Sequence, residues 1–337
     1  MQGQPSTPPM TPMPPIWRYI LTHRLPCAAL MLMMLMSALW LPAISGGLPT
    51  FAAMLLTTLG LTLNVMAPAL IALITFGGGW LFATHVAALT AAGIVAVSGF
   101  ALTPGLLVFV LYGVAPMLGA VLMMGNDGVR RSAQYLAFGL GGAGLAGLLI
   151  AAALHGDSVS GLIDQFLAPM FAGVEQQLPK GEPEAMQIIE ESRRMMVAIL
   201  PGLLLLGVWF SWWGDVVLAR NIARRYGFYQ GAPTSLLSLG FGKPVAYLFL
   251  ALLVALNLGS GELHYIAVNA AILIGGLLAA QGVAVGHSWL KAKGMLFSIA
   301  LMYLMLLIWT VLIIPFVIIG LMDIWFDYRR HMPAVGG

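Results

Sequence analysis

The sequence predicts an all-α fold: a polytopic transmembrane helical bundle of about nine spans (eight to ten), with one external amphipathic helix. Three observations carry this reading. Hydrophobic residues make up 60% of the chain and charged ones 8%, at a mean hydropathy of +0.95, which leaves too little polar surface to cover a water-soluble globule. The apolar runs reach about twenty residues without period-two alternation, so helices rather than barrel strands must satisfy the backbone in lipid. Lys and Arg gather in short clusters at the ends of those runs, which marks topology rather than a nucleic-acid surface, and no nucleic-acid partner is expected.

Residues 1–15 carry Pro5, Pro8, Pro9, Pro12, Pro14 and Pro15 and read as an extended, disordered tail. Ile16 to Arg24 fits a short amphipathic helix ahead of the first span. Spans are expected near 27–45, 50–76, 80–102, 105–124 and 132–154, with boundaries at Gly46-Gly47, Gly77-Gly78-Gly79, Thr103-Pro104-Gly105 and the turn from Asn126 to Arg131. The second holds Asn64 and Pro68 and reads as one kinked helix or two short ones. These five spans form an N-terminal membrane block, residues 16–154. A C-terminal block, 195–330, holds four more near 195–219, 244–258, 263–286 and 295–322, and residues 331–337 are a tail.

Between the blocks lies a polar interval, 155–194. Val159, Leu162, Ile163, Phe166, Leu167, Met170, Phe171, Val174 and Leu178 recur at the spacing of one helix face, which makes an amphipathic helix. A second helical run begins at Glu184 and passes into the span at Met195. Acidic residues outnumber Lys180, Arg193 and Arg194 here, so the interval belongs outside. The clusters at Arg18 and Arg24, Arg130 and Arg131, Arg220 to Lys243, and Lys291 and Lys293 then fall in the cytoplasm with the N-terminus, as expected for a bacterial inner-membrane protein. Arg329 and Arg330 break the pattern, because nine spans would put them outside. The last apolar run, Met295 to Met322 with Pro315 inside it, would be about 42 Å long against a hydrocarbon core of about 30 Å, so it must tilt, kink or fold back.

Small residues four apart (Gly139, Ala143, Gly147 and Ala151; Ala271, Gly275 and Ala279; Gly276, Ala280 and Ala284) predict close helix packing. Polar groups in apolar runs are candidate functional residues. Asp215 follows Trp209, Trp212 and Trp213 and is expected either to pair with Arg220 at the interface or to contact a ligand or partner. Asn64, His85, Asn269 and Gln281 lie deeper, where interhelical hydrogen bonds are expected. Glu262 and His264 fall in an outside turn and should be solvated. In the run Gly320 to Arg330, Asp323 and Asp327 are four apart on one face, with Arg330 available as a cation, and Trp325, Arg329 and, before the last span, His287 complete the candidate set. No zinc, phosphate-binding or nucleophile motif is present and Cys27 stands alone, so neither catalysis nor a cofactor is expected.

The run Leu321-Met322-Asp323-Ile324-Trp325-Phe326-Asp327-Tyr328-Arg329 resembles the ending of the YybS-like family of bacterial membrane proteins. The stretches Leu200 to Leu204, Leu218 to Arg220, and Gln281-Gly282-Val283-Ala284-Val285-Gly286-His287 resemble its other segments, over roughly residues 130–330. The family is similar in architecture to the substrate-binding membrane subunits of energy-coupling-factor vitamin transporters and to the rod-shape protein MreD. The resemblance implies a small-molecule-binding bundle or an envelope scaffold. A transporting bundle, lacking a nucleotide-binding motif, would need a separate ATPase or other membrane subunit as partner, docked on Arg220 to Lys243. A scaffold would use the helix over 158–178 on the bilayer surface or against a partner.

Overall fold

The computed structural model describes residues 12–176 and 183–332, all of whose regular structure is helical. In order the helices are α1 (Pro15–Thr22), α2 (Arg24–Ser45), α3 (Thr50–Val65), α4 (Ala67–Val97), α5 (Leu102–Val108), α6 (Ala115–Met124), α7 (Gly128–His155), α8 (Val159–Glu175), α9 (Pro183–Arg225), α10 (Lys243–Leu258), α11 (Gly261–Ala292), α12 (Leu296–Ile308) and α13 (Ile313–Phe326). A π-helical segment, Phe109–Val114, joins α5 to α6. The chain forms two compact units that interleave along the sequence: residues 1–136 with 210–234, and residues 137–209 with 235–337.

Among the described residues six helices are long and apolar enough to cross a bilayer, or seven if the bent pair α12–α13 counts as one. The difference from nine has local causes. The second and third expected spans lie in one 48-residue helical stretch, Thr50–Val97, interrupted at Met66 before Pro68 and at Gly79. Gly79 has φ 79° and ψ 168°, a conformation open to glycine and costly for other residues, and it breaks α4 where the glycine triplet predicted a boundary. The seventh, α10, has only 16 residues. The ninth bends by 119° between α12 and α13 and so turns back rather than continuing.

The first unit is built on α2, α3 and α4. Cys27, Met31 and Leu35 of α2 are buried with Ile71, Ile74, Ala83 and Val86 of α4. Gly60 lets α3 approach the α2 backbone, and Ser37 Oγ donates to its carbonyl at 2.8 Å. Asn64 Nδ2 donates to the Leu35 carbonyl at 2.9 Å, and Tyr112 Oη donates to Asn64 Oδ1 at 3.3 Å, the interhelical role expected of Asn64.

The second unit is organised round α11. Gly276 receives Leu206 of α9, and Gly275 lies against the Phe249 ring of α10. Gly282 sits on the Phe316 carbonyl and Gly320 on the Leu278 carbonyl, so α13 crosses α11 at glycine-to-backbone distance. The stripe expected on α7 is not used this way. Positions 139 and 147 have nothing within 4 Å of where a Cβ would stand. The packed glycines are Gly141 and Gly144, against Leu273 and Leu205 at 2.7 Å. Spacing alone cannot say which of two glycine stripes on a helix faces its neighbours.

The helix expected over 158–178 is α8, and the part beyond Gln176 lies outside the described residues. Ser158 caps it, accepting from Gly161 N–H at 2.9 Å. Its turn at Val159 packs with Ala152 and Tyr265, and Asp164 receives both Arg193 Nε (2.8 Å) and Nη2 (2.7 Å). Phe166, Met170 and Val174 form an exposed apolar stripe one turn apart. The helical run beginning at Pro183 continues without a break through the sixth expected span to Arg225.

Candidate functional site

A polar node at the end of α13 unites three of the residues singled out from sequence. The Asp323 carboxylate is buried and receives Gln281 Nε2 at 2.7 Å, Arg329 Nη2 at 2.7 Å and the Tyr328 N–H at 3.0 Å. Gln281 Oε1 accepts the Phe241 N–H at 2.7 Å, and Arg329 Nη1 donates to the Leu237 carbonyl at 2.7 Å. One carboxylate, one amide and one guanidinium thus fasten the chain end to the connection before α10. Trp325 packs edge-on against Tyr247 of α10, with ring centroids 6.4 Å apart.

Asp327 is elsewhere. It ends α13 in the left-handed region (φ 42°, ψ 61°) and pairs with Arg330 at 3.3 Å in solvent. The expectation that Asp323 and Asp327 share a helix face fails because the helix stops between them, so their charges do not compete for one cation. Arg329, not Arg330, neutralises the buried carboxylate. His287 is also apart: its Nδ1 lies 3.1 Å from Tyr303 Oη of α12.

The node's position follows from helix lengths. Between Gly261 and Gln281, α11 rises about 30 Å, one hydrocarbon-core thickness. At the Gly261 end, Glu262 Oε1 accepts the Val159 N–H of α8 at 3.2 Å. Glu262, expected to be only solvated, therefore anchors the first turn of α8. His264 Nδ1 meets the Leu256 carbonyl at 2.7 Å. Arg329 and Lys243 lie at one end of the second unit and α8 at the other, so the bend between α12 and α13 removes the conflict that nine spans created for Arg329 and Arg330.

Asn269 occupies a second polar place. Pro201 has no N–H, which leaves the Val197 carbonyl without its helical donor. Tyr265 Oη donates to that carbonyl at 2.9 Å. One residue on, Asn269 Nδ2 donates to the Ala198 carbonyl at 2.9 Å and Asn269 Oδ1 accepts the Gly202 N–H at 2.7 Å, so its amide is inserted in the α9 ladder. Tyr265 was missed by sequence reasoning. Its signal was available: a Tyr four residues before Asn269, on the same face of a helix facing a proline.

Beside this repair lies a partly open cavity of about 330 Å³, walled by α7, α9, α10 and α11. Its walls are almost wholly apolar. Tyr265 and Asn269 line it but commit their polar atoms to the α9 backbone.

In the first unit Asp215 and Arg220 are buried but form no ion pair with each other. Five residues apart, they stand about 140° apart round α9. Arg220 donates to the Thr234 carbonyl and stands over the Tyr229 ring, 5.5 Å from its centroid, and Tyr229 Oη donates to the Met123 carbonyl at 3.0 Å. Asp215 Oδ2, Arg220 Nε and Ser132 Oγ are buried without hydrogen-bond partners.

The family described as "Predicted membrane protein (DUF2232)" matches residues 48–324. The chain belongs to this family. The match runs from the turn before α3 to Ile324, one residue past the buried Asp323, and takes in parts of both units. No curated protein matches the chain, and no solved structure does.

Proposed function

We propose that this family member is a transport-related, substrate-binding membrane subunit. The observation that carries the reading is the cavity of about 330 Å³ in the second unit, within the volume range of small-molecule sites. It lies against the one turn of α9 whose hydrogen-bond ladder is opened by Pro201 and held by Asn269, and opened helices near mid-bilayer recur at the binding sites of transporters. The resemblance to YybS-like proteins, and through them to energy-coupling-factor subunits, supports the same reading. Energy would come from a separate ATPase partner docked on the side of Arg329 and Lys243, which is cytoplasmic by the positive-inside rule, in a bacterial inner membrane. The test is affinity purification from native membranes followed by mass spectrometry. The reading requires a co-purifying ATPase or coupling subunit and a bound small molecule, and recovery of neither overturns it.

The exposed stripe Phe166, Met170 and Val174 favours a second reading, a scaffold that recruits a partner through α8. Substituting all three by Ser would then abolish partner recruitment and leave small-molecule uptake intact. The opposite outcome discards the scaffold.

A further inference from the structure

We infer that the cavity between α7, α9, α10 and α11 holds one acyl chain of a bilayer phospholipid. The inference rests on the reading of this cavity as the binding site and names the class of molecule it takes. Shape, polarity and position agree.

The first argument is chemical. A site for a polar solute presents unspent donors and acceptors to the ligand. Here Tyr265 Oη and the Asn269 amide are both used by the α9 backbone. What remains for a guest is Leu, Ile, Val, Phe, Pro, Ala and Gly surface.

The second argument is length. On α7 the wall runs from Ala137 to Leu148, about 16 Å of helix, close to one leaflet of a core about 30 Å thick. On α11 it runs from Tyr265 to Ile274, the half of that helix nearer Glu262 and α8. The slot therefore has the depth of a single monolayer, on the side of α8.

The third argument is access. Gly142 and Leu248 line the cavity and are also exposed, so it is continuous with the apolar outer surface of the unit, which faces lipid. A chain enters sideways from the bilayer, without crossing a polar barrier.

Gly142 supplies the test, because it lines the cavity and a Cβ there meets nothing within 4 Å, so the backbone tolerates a larger side chain at the cavity wall. A Cβ at Gly147 likewise meets nothing within 4 Å, but Gly147 does not line the cavity and serves as the control. Protein with Gly142→Leu, Gly147→Leu or neither is reconstituted in phosphatidylethanolamine–phosphatidylglycerol vesicles containing a phospholipid with a diazirine in its acyl chain. It is then irradiated, and the labelled residues are mapped by mass spectrometry. The expected result is concentrated labelling on Leu145, Leu205 and Leu273, reduced several-fold by Gly142→Leu and unchanged by Gly147→Leu. Labelling spread evenly over the outward faces of all helices, or equal in both variants, overturns the inference and reduces the chain to ordinary surrounding lipid. If Gly142→Leu does not fold, Ala270→Leu fills the same space from α11. The outcome is separate from that of the transport reading: an ATPase and a small molecule can still co-purify with a protein whose cavity is not labelled, and that result rejects the acyl chain alone.

Discussion

Replacing Asp323 by Ala should be among the most damaging single changes of a polar residue in the chain. Its side chain is 2% exposed and accepts three hydrogen bonds, one from the Arg329 guanidinium, which is itself 21% exposed. Removing one partner of a buried ion pair costs about 3–5 kcal/mol when the other charge is trapped without water. Arg329 keeps some access to solvent, and this lowers the figure, whereas Gln281 Nε2 and the Tyr328 N–H add the penalty of unsatisfied donors. The balance is a loss of about 2–4 kcal/mol. Arg330→Ala should change stability by less than about 0.5 kcal/mol, because its pairing with Asp327 is in solvent. Cys27 is buried and is the only cysteine, so a thiol-reactive fluorophore reports unfolding in detergent micelles. Equal transition temperatures for Asp323→Ala and Arg330→Ala would refute the argument that the node fastens the chain end.

Gly320→Ala should be strongly destabilising, since a Cβ there strikes the Leu278 backbone, while Gly139→Ala, with open space at that position, should be neutral or gain about 1 kcal/mol of helix propensity in the same assay. Asn269→Leu should loosen α9 beside Pro201 by releasing the inserted amide, visible as faster amide hydrogen exchange confined to residues near Ala198 and Gly202; unchanged exchange there would deny Asn269 that role. Asp215→Asn should leave stability unchanged or raise it, because Oδ2 has no partner to lose and a buried charge is removed, whereas Arg220→Ala should lower it by exposing the Thr234 carbonyl and the Tyr229 ring to an empty space.

Composition and the apolar runs were enough to read the helical membrane fold, and glycine clusters placed the break at Gly79. The span count was less legible because run length measures hydrophobicity and not direction. Nothing in Met295 to Met322 says that the chain turns by 119° there, although the run's length and the misplaced Arg329 and Arg330 pointed to a tilt, a kink or a fold-back. The candidate site was half legible. Gln281, Asp323 and Arg329 stood out as polar residues in apolar surroundings, yet their meeting depends on α13 crossing α11 closely at Gly282 and Gly320, a tertiary fact. The shared face of Asp323 and Asp327 failed because the helix was assumed to continue through Asp327, which stands in the left-handed region and ends it. Glu262 was read as merely solvated and Tyr265 was passed over because their partners are backbone groups, which a search for side-chain constellations does not see.

The central claim is that the chain end turns back, so that within the second unit Arg329 and Lys243 lie at one membrane face and α8 at the other. The direct measurement is side-specific labelling by an impermeant maleimide of single cysteines at Gln165, Lys243 and His331, each made in a Cys27→Ser background, in sealed right-side-out and inverted vesicles. The account predicts that Lys243→Cys and His331→Cys are labelled from one side and Gln165→Cys from the other. Labelling of His331→Cys together with Gln165→Cys would contradict it.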